Sequence, residues 1–121
     1  MRYIYHFWGD MQKDHQMTLD GAMVALRLKN NYAPKRIYAY ETLSETGINI
    51  PTVNNTFIPN VYEDISDYLE CKIKAMKFYQ SQLHPFPDLR SIEAVEALAR
   101  LRGATANVKA AEAFMLIREI R

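Results

Sequence analysis

The chain has 121 residues, 49% of them apolar and 24% charged. That balance excludes a disordered polymer and fits one globular domain over residues 1–121, able to withdraw roughly two-thirds of its unfolded surface from water. Fifteen Lys and Arg face fourteen Asp and Glu, so no strong field draws a polyanion and nucleic acid is not expected as a partner.

The single Cys71 rules out an internal disulfide and reads as a small buried apolar residue in a reducing compartment. No run approaches the length needed to span a bilayer, and the N-terminus lacks a leader-like cleavage pattern. The expected location is the cytoplasm.

Residues 3–8, "YIYHFW", are β-branched or aromatic and stop at Gly9, the pattern of a buried strand running into a loop. A polar loop follows. Thr18 is then expected to cap a helix over about 18–30, with Leu19, Ala22, Met23 and Leu26 at helical spacing, and "NNYAP" at 30–34 to end it. "KRIYAYET" at 35–42 predicts a second strand through Ile37, Tyr38 and Tyr40. Residues 43–56 have no period and predict a long loop, a kind of segment that is usually functional or mobile.

"TFIPNVY" at 56–62 predicts a short edge strand, because Pro59 removes a ladder donor. Asp64 is expected to cap a helix whose Ile65, Leu69, Ile73, Met76 and Tyr79 share one face. After the break at "HPFPD", Ser91 caps another helix that Gly103 stops. The tail "ATANVKAAEAFMLIREIR" reads two ways, its alanines favouring helix and "AFMLI" a buried final strand, of which the strand is preferred; Glu112 within it needs a partner if it is buried. Strands alternating with helices predict an α/β layer architecture with a mostly parallel sheet, in which ligands gather at the carboxyl ends of strands.

The stretch "GDMQKDHQMT" leaves the first strand at such an end and holds Asp10, Gln12, Asp14 and His15. His15 with Asp14 or Asp10 offers one or two donors to a divalent metal, whereas a hydrolytic zinc centre takes three protein ligands. The alternative for Asp14 and His15 is a pair at the start of a helix, the carboxylate orienting the imidazole or favouring the N-terminus. His6 reads as a strand histidine and His84, beside two prolines, as a loop residue; neither closes a zinc site by spacing. Cys71 has no basic group predictably near it and is not read as a nucleophile. The four glycines are scattered, so no phosphate loop is present, and Phe7, Trp8 and the tyrosines read as core rather than base-stacking residues.

Taken in order, "GDMQKDHQMT", "YAYETLSETG", "FIPNVYEDISDYLECKIKAMKFYQSQLHPFP" and "RSIEAVEALARLRGATANVKAAEAF" resemble the PIG-L/LmbE-like de-N-acetylases, zinc hydrolases that remove acetyl from N-acetylglucosamine-type sugars. The resemblance implies a partial Rossmann-like three-layer sandwich corresponding to the C-terminal half of such an enzyme and lacking the N-terminal βα units. It implies that His15 is a zinc ligand, that Asp14 is the orienting carboxylate, and that Gln12 stands where the family has a histidine. An amide donates to an oxyanion but cannot shuttle a proton at neutral pH. The family's Ala-His-Pro-Asp-Asp segment, with its other ligands and general base, does not occur here. With His15 alone, zinc is expected to be held weakly, and the chain to be inactive by itself and to self-associate or pair with the missing half. The competing expectation is a non-catalytic α/β module that binds a partner or sugar through residues 43–56.

Overall fold

The computed structural model describes residues 1–29 and 31–121. The elements in chain order are strand β1 (Arg2–His6), helix α1 (Lys13–Ala25), β2 (Arg36–Tyr40), α2 (Leu43–Thr46), β3 (Val61–Asp64), α3 (Leu69–Met76), α4 (Ile92–Ala106) and β4 (Ala111–Glu119), with single 3-10 turns at Val53–Asn55 and Gln80–Gln82. Residues 1–61 and 114–121 make one compact unit and residues 62–113 another. Among the described residues, no helix is long and apolar enough to cross a membrane.

The four strands form one sheet in the order β1-β2-β4-β3. β1 and β2 are parallel, with Tyr3 opposite Ile37 and His6 opposite Tyr40. β4 runs antiparallel to β2, with Ala39 opposite Met115 and a register shift between Ile37 and Tyr38. It also runs against β3: Asn60 N–H bonds Phe114 O and Ile65 N–H bonds Ala110 O, so rising numbers on one strand meet falling numbers on the other. The sheet is therefore mixed and mostly antiparallel, which overturns the expected mostly parallel, Rossmann-like sandwich. β1–α1–β2 is a parallel strand–helix–strand unit. A period of two records which face of a strand is buried but not which way the strand runs. The alternation of strands and helices was thus compatible with either direction for β4.

Local sequence explains where the elements lie. β2 alternates as expected, with Ile37 and Ala39 wholly buried between half-exposed Arg36, Tyr38 and Tyr40. β1 differs from the expected buried strand, because it lies at the sheet edge and leaves Tyr3 and Ile4 exposed. α1 begins at Lys13, earlier than the predicted 18. Gln16 Nε2 donates to Asp10 O at 2.6 Å and fastens the first turn to the preceding loop, while Thr18 Oγ1 bonds Asp14 O inside the helix instead of capping it. Asn30, the last residue of the predicted helix and the first of its stop, lies outside the described residues. The predicted loop 43–56 contains α2 and a 3-10 turn with a capping box between Thr52 and Asn55.

In the second unit Asp64 ends β3 rather than capping a long helix; its carboxylate accepts from Ser66 N–H and Oγ–H. α4 starts where Ser91, fully buried, accepts from Ala94 N–H at 3.1 Å. It runs past Gly103 to Asn107, which adopts the left-handed conformation (φ 59°) and so takes over the terminating role. Gly103 is buried instead, and a Cβ there would meet Ala110 Cα and Val108 O at 2.7 Å. The helix approaches the start of β4 closely enough that only hydrogen fits. The strand reading of the tail holds as β4, and Glu112 pairs with Lys72 of α3, whereas Cys71 beside Lys72 is exposed and not buried as expected, because the helix turns it to solvent.

Candidate metal centre

The site is built where β1 ends. Phe7 is wholly buried and packs edge-on against Phe57, ring centroids 5.2 Å apart. Gly9 follows, and a Cβ at this position would lie 2.3 Å from Phe7 Cε1 and 2.7 Å from Asn55 O, so the loop passes where no side chain fits. Asn49 Nδ2 donates to Gly9 O at 2.7 Å, and Trp8 Nε1 donates to Asn54 O at 2.8 Å. The segment 43–56 is thereby tied to the loop that carries Asp10.

These restraints bring His6, Asp10 and His15 together. Each offers a ligand atom, and the three atoms lie within 4.8 Å of one another. His6 closes β1, Asp10 lies in the loop, and His15 occupies the first turn of α1. The two imidazoles stack with centroids 3.7 Å apart and planes 18° from parallel. Asp10 is fully buried; its Oδ2 lies 2.9 Å from His15 Nδ1, and its Oδ1 accepts from Thr46 Oγ1 at 2.5 Å. The register that sets His6 opposite Tyr40 brings Tyr40 Oη to 2.9 Å from His6 Nδ1 and 3.2 Å from Nε2.

Burial, and then the adjacent His15, lower the His6 pKa; the carboxylates of Asp10 and Asp14 oppose that shift. Burial, and then Asp10, raise that of Tyr40. His6 is therefore biased toward neutral imidazole, the form that ligates a metal, and Tyr40 toward neutral phenol.

Two imidazoles and one carboxylate, all beside one strand end, form a donor set suited to a divalent transition metal with open positions left over. The fit is chemical as well as geometric. Stacked, partly desolvated imidazoles beside a buried carboxylate are costly unless the charge is shared, and a dication would be shared by all three.

Of the residues nominated from sequence, His15 and Asp10 belong to this cluster. Asp14 is exposed and its Oδ1 accepts the His15 backbone N–H at 3.0 Å, so the carboxylate holding the imidazole is that of Asp10. Gln12 is exposed at the N-cap of α1 and makes no capping bond there. His6 was not legible as a ligand, because its approach to His15 is created by packing a strand end on a helix start. The signal that could have found it is the run His6, Asp10, His15 across a strand–loop–helix junction.

No family model and no curated protein matches this chain. The resemblance to PIG-L/LmbE-like zinc deacetylases thus gains no support from these comparisons, and its Rossmann-like component is corrected by the mixed sheet. A general α/β fold with a cluster able to coordinate a metal is what stands.

Proposed function

We propose that His6, Asp10 and His15 hold a divalent metal, zinc being the ion that best suits the set, and that the chain supplies this centre to a hydrolytic reaction. The observation that carries the reading is the mutual approach of the three donor atoms within 4.8 Å. When bound, such an ion acidifies a water and polarises an acyl oxygen. The chain's own part is positional. Asp10 is fixed through Thr46, His15 through Asp10, and His6 through Tyr40. Gln12, one turn ahead of His15, is an amide that can donate to a developing oxyanion but cannot carry a proton. Asp14 secures the backbone of the ligand-bearing turn. The acyl group nominated is the acetamido group of an N-acetylglucosamine-type sugar, for which the sequence resemblance is the support.

The test is titration of the purified chain with zinc, read by competition with a chromophoric chelator, followed by assay of the loaded protein on N-acetylglucosamine derivatives. One ion per chain, lost in both His6→Ala and His15→Ala, is the expected result. Tight zinc that survives His15→Ala would refute the ligand set. Zinc bound at this set without release of acetate would leave a binding module.

A further inference from the structure

We infer that Thr46 is the positioning residue that selects which oxygen of Asp10 faces the His15 imidazole, an inference that rests on the metal reading above. Asp10 has two oxygens and no exposure to water, so each must be satisfied within the protein. Thr46 Oγ1 donates to Oδ1 at 2.5 Å, leaving Oδ2 as the oxygen 2.9 Å from His15. Thr46 is itself held. Its Oγ1 accepts the Thr42 backbone N–H at 2.9 Å, and its own backbone N–H bonds Thr42 O at 2.7 Å. With its lone pair engaged by Thr42, the hydroxyl proton is aimed at Asp10.

Thr42 N–H donates to Thr46 Oγ1 and Thr46 O–H donates to Asp10 Oδ1, while the other carboxylate oxygen, Oδ2, accepts from the His15 ring. This arrangement turns Nδ1 of His15 toward the carboxylate and leaves Nε2 as the ring nitrogen not engaged by Asp10. An ion held by Oδ2 would compete with that hydrogen bond, while the bond from Thr46 to Oδ1 would keep the carboxylate from rotating. Outer groups of this kind commonly set metal affinity by one to two powers of ten. Thr46 lies in the segment 43–56, which its lack of period marked as functional or mobile, and α2 is the single turn that delivers it. The segment thus serves the centre through a hydroxyl and does not itself supply a ligand to the cluster.

The experiment compares the full-length wild-type chain with Thr46→Val and Thr46→Ser. Zinc affinity is read by chelator competition, and the cobalt form by its visible absorption. Ring nitrogen-15 shifts of His15 are recorded in the metal-free protein. Thr46→Val is expected to weaken zinc about 10–100-fold, to alter the cobalt spectrum and to shift the His15 tautomer away from Nδ1–H. Thr46→Ser is expected to restore all three. Circular dichroism and the urea midpoint of each variant separate this from unfolding; should Thr46→Val unfold, the Thr46→Ser and wild-type tautomers decide, since both must show Nδ1–H. Wild type that binds zinc with Thr46→Val within twofold of it overturns the role of Thr46 alone. Wild type that binds neither zinc nor cobalt overturns the metal reading and this inference together.

Discussion

Replacing Asp10 with Ala removes the acceptor of two donors at once. The Thr46 hydroxyl, 2.5 Å from Oδ1 in part-buried surroundings, loses its partner, at a cost of about 1–3 kcal/mol. The side chain of His15 is 16% exposed, so water replaces part of what Nδ1 loses, and that term is about 1 kcal/mol. Removing a carboxylate from a fully buried position returns part of its desolvation cost, which brings the net loss to about 1–3 kcal/mol. With a urea slope of about 1–3 kcal/mol per molar, the midpoint should fall by about 1 M. Trp8 is the only tryptophan, lies two residues from the substitution, and reports the transition by fluorescence. Zinc affinity should fall by about 100-fold or more in the same protein, since only two ligands remain. A midpoint and an affinity both unchanged from wild type would refute the geometry that places Asp10 at the junction of Thr46 and His15.

Two further outcomes follow from separate parts of the chain. Gly103→Ala forces a methyl against Ala110 Cα and Val108 O at 2.7 Å, both backbone. It should cost about 1–3 kcal/mol and raise amide exchange in α4 and the start of β4, whereas an unchanged urea midpoint would show that these elements part without strain. The lowered His6 pKa fixes a pH trend for the metal-free protein. Below its ordinary value of 6.5 the unfolded chain takes up a proton at this site that the folded chain resists, so the unfolded state gains. Stability is at its full level above 6.5 and falls as the pH drops toward the folded value. His6→Gln should flatten that part of a melting-temperature profile, and an unaltered slope would count against the burial of His6 as its cause.

The sequence disclosed those features that depend on neighbours along the chain. The alternation in "RIYAY" located β2, Ser91 announced the start of α4, and the run "AFMLI" favoured β4 against a helix suggested by the neighbouring alanines. Features set by distant contacts were hidden. Gly103 has the residue type of a helix stop, but the role belongs to Asn107, because α4 must come within a hydrogen's width of Ala110 before it ends. The start of α1 at Lys13 depends on Gln16 reaching back to the Asp10 carbonyl, a bond no propensity scale contains. His15 was named from its local motif. His6 was set aside as a strand histidine, since only the parallel pairing of β1 with β2 and the return of α1 lay the two rings face to face. The direction of β4, and with it the nature of the sheet, lay beyond any pattern of hydrophobicity.

The edge position of β1 ties two equilibria together. This five-residue strand pairs with β2 along one flank among the described residues, and its final residue is His6. Fraying of the strand and departure of His6 from Asp10 and His15 are consequently the same motion. On the proposed metal reading, ion uptake should slow amide exchange at Ile4 and Tyr5, and stiffening of the strand should tighten the ion by the same factor, because linkage between two equilibria is reciprocal.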